Sequence, residues 1–506
     1  MSLSREIYNE LAAIVGSAHI SDKPHILAGN RAKTPDYPME YKSAEAIVRP
    51  GSVEELQAIV KLCNKYGIIF APMVSGVMPT AFASRPNTII IQLSRMNRIV
   101  EINEEDRYVV IEPGVRHVQL YPELRKRGFS YTAASVGPGG SVLANFTSTS
   151  GDHHTQHGNS RANRYLLGVE MILPDGEIIR TGSLQTGSGW FCPDGPGPGL
   201  RGIVKGYNGN HAQFGIITRI AIAIDPCKGP AEPEMSGISP HHTVRMNTPC
   251  SKVIIYKFKD IDHLRDAMIK TGEAEIGSTV IKYFYLPATL MMTDSANDFW
   301  KMWTDEHKAE LTMPLIVHLA TRSEEEMKYE ETILHDIAAE LGGVRIKREY
   351  EEWWENHMDF FMIVSRLQSV LRLGGGWAPI KLASDSVAHI CEVGKNINNF
   401  IHDFTDTGKI FDAPEDYQII PMEYGHFAHI ELLIMWDRTD PNVMKGVGEF
   451  RAASRQTDID NHFHAEMPVF LSPGSMQIGP LYSNFHIWLK QLKEAFDPNN
   501  VANPMM

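Results

Sequence analysis

Apolar positions recur along the chain in two rhythms. Leu56, Ile59, Val60 and Cys63 fall at helical spacing. Ser52 precedes them and Glu55 follows it by three, a capping-box pattern, and Gly67 can end the helix in a left-handed conformation. Short β-rich runs surround this helix: Ile68 to Ala71, Thr88 to Leu93 and Tyr108 to Ile111. His117 to Arg127 reads as a helix closed by Gly128. Gly168 to Leu173 and Glu177 to Thr181 flank Pro174-Asp175-Gly176, a hairpin signal, and Phe214 to Ile224 is a further strand.

A Pro-, Gly- and Ser-containing linker runs from Pro226 to Pro249. Beyond it, strands are expected at Val253–Phe258, Thr279–Leu286, Thr312–Ala320, Tyr417–Pro421 and Phe427–Trp436. Helices are expected at Ile261–Lys270, from Ser323 to Glu340, and at Ser386–Phe404, Asn442–Arg455 and Leu481–Phe496. Helices mixed with strands in both halves give an α+β class. The division expected is residues 1–226, residues 227–475, and a C-terminal segment 476–506.

Composition narrows the function. With 506 residues, 43% apolar and 22% charged, the chain is an ordinary globular one, which excludes wholesale disorder. The net charge of −13 offers no attraction to phosphate backbones, so no nucleic-acid partner is expected. The five cysteines are scattered and form no CxxC pair, which points to reduced thiols rather than a zinc ribbon or iron–sulfur cluster. No run approaches 18 apolar residues, and the N-terminus lacks the apolar core of a signal peptide. A cytoplasmic protein without a membrane span is the expectation.

Two loops carry candidate chemistry. The first, Pro72-Met73-Val74-Ser75-Gly76-Val77-Met78, has small residues and no charge, so its backbone N–H groups can converge on a pyrophosphate. The second is Pro138-Gly139-Gly140-Ser141 with Asn145, whose glycines allow close approach and whose hydroxyl can donate to phosphate. A plain turn is the other reading of each. The chain lacks GxGxxG after a first strand and GxxxxGK[ST], so dinucleotide Rossmann and P-loop readings lack their residues.

Taken in order, these pieces resemble the FAD-binding domain of the vanillyl-alcohol oxidase / p-cresol methylhydroxylase flavoprotein family. The matching stretches are Ile47 to Glu55, Leu93 to Ile99, Glu112-Pro113-Gly114-Val115, Pro138 to Ser141 with Asn145, Leu173 to Glu177 with Arg180-Thr181-Gly182, and Phe214 to Thr218. Phe496 to Asn500 with Asn503-Pro504 resembles the tail that returns to that domain. The resemblance implies a PCMH-type FAD-binding domain of two α+β subdomains, an α+β cap over the flavin, and FAD contacts that include Gly158, Gly215, Ile217 and Asn503. It also implies a flavin oxidoreductase, expected as a homo-oligomer (a dimer), with oxygen or a redox protein as electron acceptor. No residue from Ser75 to Met78 can bond the flavin 8α-methyl group, so FAD is expected to be non-covalent.

Histidines and arginines supply the remaining candidates. His153, His154 and His157 form an HHxxH loop that can serve as polar wall or metal ligands; no metal is expected. His426, His429 and His464 are the candidate bases for an alcohol proton. Family members that oxidise D-2-hydroxy acids carry two metal-binding histidines seven apart around GDGN. Here Met422 stands seven before His429 and GDGN is absent, so that site is not expected. Arg366 (with Arg372 as its neighbour) can clamp a substrate carboxylate or form a surface pair, and Trp377 is a candidate pocket wall. The expected substrate is a phenolic, aromatic or bulky apolar alcohol. A D-2-hydroxy acid, as in D-lactate-type dehydrogenases, is the alternative, and a non-catalytic flavin-fold subunit of a complex is the alternative of another class.

Overall fold

The structure, a computed structural model, describes residues 3–30, 44–76, 85–132, 139–147, 157–160, 162–192, 194, 212–228, 232–238, 241–357, 376–413, 415–437, 439–463 and 479–503, with backbone alone for 162, 163 and 376–381. Helix α1 (Arg5–Val15) buries Leu11 and Val15. A first sheet holds β1 (Ile20–Ser21), β2 (Ala46–Val48), β3 (Ile69–Met73) and β4 (Thr88–Gln92) in the order β1-β2-β4-β3. β2 and β3 run parallel to β4, so each parallel connection needs a crossover. Helix α2 (Val53–Tyr66) provides the one from β2 to β3. It buries Leu56, Ile59, Val60 and Cys63 completely, about 1.5–3 kcal/mol for each large aliphatic side chain. Ser52 Oγ accepts the Glu55 amide as the pattern predicts, but Glu55 reaches back to the amide of Gly51 (2.7 Å) rather than of Ser52. Gly67 ends the helix at φ 63°.

A second sheet holds β5 (Ile99–Asn103), β6 (Tyr108–Ile111), β7 (Leu166–Ile172), β8 (Ile178–Arg180) and β9 (Ile216–Ala223), in the order β5-β6-β9-β7-β8. All its pairings are antiparallel. Helices α3 (His117–Arg125) and α4 (Val142–Thr147) cover one face, with Leu120, Leu124, Val142 and Phe146 on Val109, Ile111, Val169 and Ile220.

The rest of the described chain builds a second α+β unit. Its strands are β10 (Ser251–Lys257), β11 (Thr279–Ile281), β12 (Pro314–Ala320), β13 (Val344–Arg345), β14 (Gly376–Asp385), β15 (Tyr417–Met422) and β16 (Phe427–Trp436). They pair as β11-β12-β10-β13 and β14-β16-β15. An antiparallel bridge between Lys282 and Ile419 joins the two into one sheet, with both amides donating across it at 2.9 Å. The expected strand to Leu286 stops at this bridge. Asp416 takes the amides of Tyr285 (2.6 Å) and Leu286 (3.2 Å), which starts a helix at Tyr285–Met292 instead. The expected linker 226–249 contains a two-stranded ribbon, Glu234–Ser236 with Thr243–Arg245.

One face of this sheet (Val280, Val317, Ile419, Ile430, Leu432) lies under the helices Ile261–Glu273, Glu324–Glu340, Val387–Thr405 and Pro441–Asp460. The other carries Ile255, Ile281, Ile316, Ile420 and Met422. On that side Glu351 and Glu355, on the helix Arg348–Glu355, accept the amides of Ile255 (3.0 Å) and Val253 (3.3 Å), groups that β13 leaves unpaired. This satisfies an edge that would otherwise invite pairing.

The chain finally returns to the first sheet. After the helix Phe485–Phe496, Ala502 bridges to Phe70 in parallel, beside β3. The buried Lys493 ammonium holds Gln213 O (2.6 Å), Ala502 O (2.6 Å) and the Asp497 carboxylate (2.5 Å). Asp497 also accepts the amides of Val501 and Ala502, so the tail is fixed by paired charges rather than by apolar area alone.

Candidate functional site

The first candidate loop leaves β3 at its C-terminal end, where ligands collect in sheets with parallel strands. Gly76 has φ 68°, and among the described residues a Cβ there would meet only the Met73 side chain, its sulfur at 3.5 Å. The backbone of Ser75–Gly76 therefore has room beside it for a ligand. Val77, Met78 and Pro138 lie outside the described residues.

The second loop is strapped to the Glu112–Val115 turn. The Glu112 carboxylate is buried and accepts the Arg98 amide (2.9 Å) and guanidinium (2.7 and 3.2 Å). A Cβ on Gly114 would stand 2.8 Å from Met96 O, so the turn requires glycine. The Ser141 hydroxyl donates to Pro113 O (2.7 Å) and accepts the Ala144 amide (3.2 Å), capping α4. The His117 amide donates to Gly140 O (3.2 Å). The His117 ring is buried between Tyr131 and Asn145: Nε2 donates to Asn145 Oδ1, and Nδ1 accepts the Tyr131 hydroxyl at 2.6 Å. Burial pulls the His117 pKa down to about 4, so the ring stays neutral and this tautomer is locked. Among the described residues, none lies within 4 Å of where a Cβ on Gly139 would stand. Among the described residues, both loops thus present backbone open to a ligand, and the residues present fit FAD.

The other residues suggested by the resemblance sit at joints. Gly215 opens β9 at φ 135°, and a Cβ there would lie 2.3 Å from Ile172 O. Ile217 follows, buried opposite Met171 in the β7–β9 register. Asn503 is buried, with its amide on Phe70 O at 2.8 Å. Gly158 lies against the ring of Tyr424, where the second unit meets the first.

In that second unit, the odd positions of β16 form the informative stripe. Phe427, Glu431 and Leu433 are half-buried, and His429 is buried among them. His429 Nδ1 and Ser384 Oγ are 3.0 Å apart across β14–β16. One pair further, Gln418 Nε2 donates to Glu431 at 2.6 Å across β15–β16. One step on from the Lys282–Ile419 bridge stands Tyr283. Its pKa is raised well above the ordinary value by burial, with the carboxylates of Glu431 and Asp416 adding to the effect. The arrangement is an imidazole held by a hydroxyl, beside a carboxylate held by an amide, on an apolar sheet.

His426 falls elsewhere: it is exposed in the β15–β16 turn, its amide on Glu423 O. Trp377 stands opposite Met435 in the register. Arg366, Arg372, His464, His153 and His154 lie outside the described residues. His157 is described. It is buried and donates Nδ1–H to Ile276 O at 3.1 Å. Among the described residues, no group of three His, Cys, Asp or Glu can hold a metal ion. Ser384, Gln418, Glu431 and Tyr283 were not singled out from sequence. Period-two spacing from His429 reaches Glu431, whereas Ser384 and Gln418 are set only by pairing.

The fold has known counterparts. A family model described as an FAD binding domain matches residues 44–182. The 1'-carboxy-chondrochloren decarboxylase of Chondromyces crocatus is 33% identical over 227 residues, covering 42% of this chain and 39% of that protein. The probable mitochondrial D-lactate dehydrogenase of Danio rerio is 24% identical over 521 residues, 100% of this chain and 90% of that protein. Among solved structures, 4-ethylphenol oxidase from Gulosibacter chungangensis superposes with a TM-score of 0.75 at 20% identity, and p-cresol methylhydroxylase with 0.76 at 16%. Each covers 99% of this chain and 97% of its own, so the fold is shared throughout. Among the described residues, no helix is long and apolar enough to cross a membrane.

Proposed function

From an FAD-binding domain set within the p-cresol methylhydroxylase fold, we infer that this chain is an FAD-dependent oxidoreductase acting on a phenolic, aromatic or bulky apolar alcohol. The observation that carries the reading is the polar stripe His429–Ser384 and Gln418–Glu431 on the apolar face of the cap sheet. When bound, FAD supplies the acceptor for the substrate's hydride and electrons. The backbone amides of Ser75–Gly76 and Gly139–Gly140 would hold its pyrophosphate, and His117, through its bonds to Gly140 O and Asn145, keeps the second loop in place. Ser75 to Met78 offer no side chain able to link to the flavin, which supports a non-covalent cofactor; flavin retained on the denatured chain would point to His153, His154 or His157 instead.

The His429 imidazole takes the alcohol proton, and Ser384 fixes its orientation. Phe427 and Leu433 form an apolar wall that excludes water. Trp377 and Arg366 are kept as candidate substrate contacts, and His464 and His426 as the other candidate bases. The functional units are 1–226 for the cofactor, 227–475 for the substrate and 476–506 for closure onto the first sheet. The enzyme acts as a cytoplasmic homodimer and passes electrons to oxygen or a redox protein. The second reading, a D-2-hydroxy-acid dehydrogenase, is favoured by the full-length alignment with the Danio rerio protein. A positioned base is worth about 10²–10⁴ in rate. His429→Gln should therefore slow anaerobic flavin reduction by vanillyl alcohol by about that factor, with the FAD spectrum unchanged. An unaltered rate removes His429 from the chemistry.

A further inference from the structure

The β15–β16 hairpin carries the proposed chemistry, and its tip is unusual. Glu423, Tyr424 and Gly425 have φ of 50°, 56° and 77° in succession. Left-handed backbone costs a residue with a Cβ about 1–2 kcal/mol, so two such neighbours persist only if their surroundings hold them. What holds them is a segment of the FAD-binding domain. The Tyr424 amide donates to His157 O (3.1 Å), and the Glu423 amide to Ser160 Oγ (3.4 Å). The Ser160 hydroxyl itself donates to His157 O at 2.9 Å. Arg164 pairs with the Glu423 carboxylate and lies 5.3 Å over the ring of Phe427, the first residue of the candidate stripe.

Close backbone approach completes the contact. The Tyr424 ring meets His157 edge-on at 5.2 Å. A Cβ on Gly158 would stand 2.7 Å from the Tyr424 ring, and one on Gly272 would stand 2.2 Å from Tyr424 O. On its far side the same segment is held by the cap, through the His157 amide on Ser278 O at 2.6 Å. The cap therefore grips residues 157–160 between Ser278 and the hairpin tip. Among the described residues, His157 Nε2 is buried with no hydrogen-bond partner.

We propose that Tyr424 is a positioning residue: its seat on Gly158 fixes how far the hairpin stands from the FAD-binding domain, and so where His429 and Glu431 lie relative to bound flavin. The inference rests on the function proposed above. It predicts that loosening the seat exposes the flavin and misplaces the stripe while FAD stays bound. Glycine suits the φ of residue 424, so Tyr424→Gly removes the ring without straining the turn. Tyr424→Phe keeps the ring, and Gly158→Ala pushes against it.

The test is iodide quenching of bound FAD fluorescence in these variants and in the Gly158→Ala/Tyr424→Gly double variant. Tyr424→Gly should raise the quenching constant several-fold at unchanged FAD content, Gly158→Ala should raise it several-fold per bound flavin, and Tyr424→Phe should match the wild type. The double variant should be no worse than Tyr424→Gly alone, because the two changes act through one contact. Wild-type quenching in both single variants, fully additive effects, or an equal effect of Tyr424→Phe would overturn the proposal. Hydrogen exchange of residues 157–160 and 423–426 provides a readout independent of flavin: both should lose protection together in Tyr424→Gly. A wild-type protein that takes up no FAD would defeat the functional reading, and the exchange result would still decide the latch.

Discussion

Stability should collapse as pH falls from about 6.5 to about 4. Burial holds the pKa values of His117, His157, His307 and His318 down to about 4 each. In the unfolded chain each returns to about 6.5. Between those values the unfolded state binds protons that the folded state refuses, so falling pH favours unfolding; above pH 6.5 the effect is absent. Two carboxyls oppose this. Burial raises Asp416 to about 7 and raises Glu330, so the folded state holds their protons more tightly. The four histidines outnumber these two carboxyls, so on balance unfolding takes up protons in this window and stability falls as pH falls. Total stabilities are about 5–15 kcal/mol, so thermal unfolding followed by circular dichroism should show a steep fall in Tm below pH 6. A Tm that stays flat from pH 7 to 4.5 would contradict the assignment of these four rings as buried and neutral.

FAD content should fall by about 10²-fold in affinity when Gly76 becomes valine. A hydrogen bond to a charged group is worth about 1.5–3 kcal/mol, and a left-handed φ of 68° adds strain for a β-branched residue. Together these reach the few kcal/mol that correspond to such a loss. The fold should survive, because among the described residues a Cβ at Gly76 meets only the flexible Met73 side chain. The check is flavin absorbance per polypeptide after gel filtration, alongside far-ultraviolet circular dichroism. A fully loaded, folded Gly76→Val protein would remove this loop from the cofactor site.

The cofactor half was legible in the sequence because its signals are local. Ser52, Gly67, Gly114 and Gly176 each answer a backbone demand within a few residues, and the structure places a cap, a left-handed stop or a tight turn at each. The substrate half was less legible because its geometry comes from pairing between distant strands. Ser384 meets His429, and Gln418 meets Glu431, only once β14, β16 and β15 are in register. His426 was a candidate base just before the expected strand Phe427–Trp436, and positive φ at Glu423 and Tyr424 turns the chain there and leaves it exposed. The strand expected to run to Leu286 was cut short by Asp416, a helix cap supplied from more than a hundred residues away. Lys282, beside that cap, is fully buried, with its ammonium on the carbonyls of Glu415 and Tyr417. No periodicity marks it as interior.

The apolar setting of the His429 stripe also separates the two substrate readings. A carboxylate bound beside Glu431 would need a cation to offset like-charge repulsion in a poorly solvated site. Arg164, a described cation at this end of the sheet, is engaged with Glu423. On the reading proposed above the substrate is a neutral alcohol, whereas under the acid reading Arg366 would be the carboxylate's partner. Anaerobic bleaching of the bound FAD by p-cresol, vanillyl alcohol, D-lactate and D-2-hydroxyglutarate tests this most directly, since it needs no knowledge of the electron acceptor. The account predicts bleaching by the phenolic compounds and little or none by D-lactate; rapid bleaching by D-lactate, with the phenolic compounds inert, would contradict it.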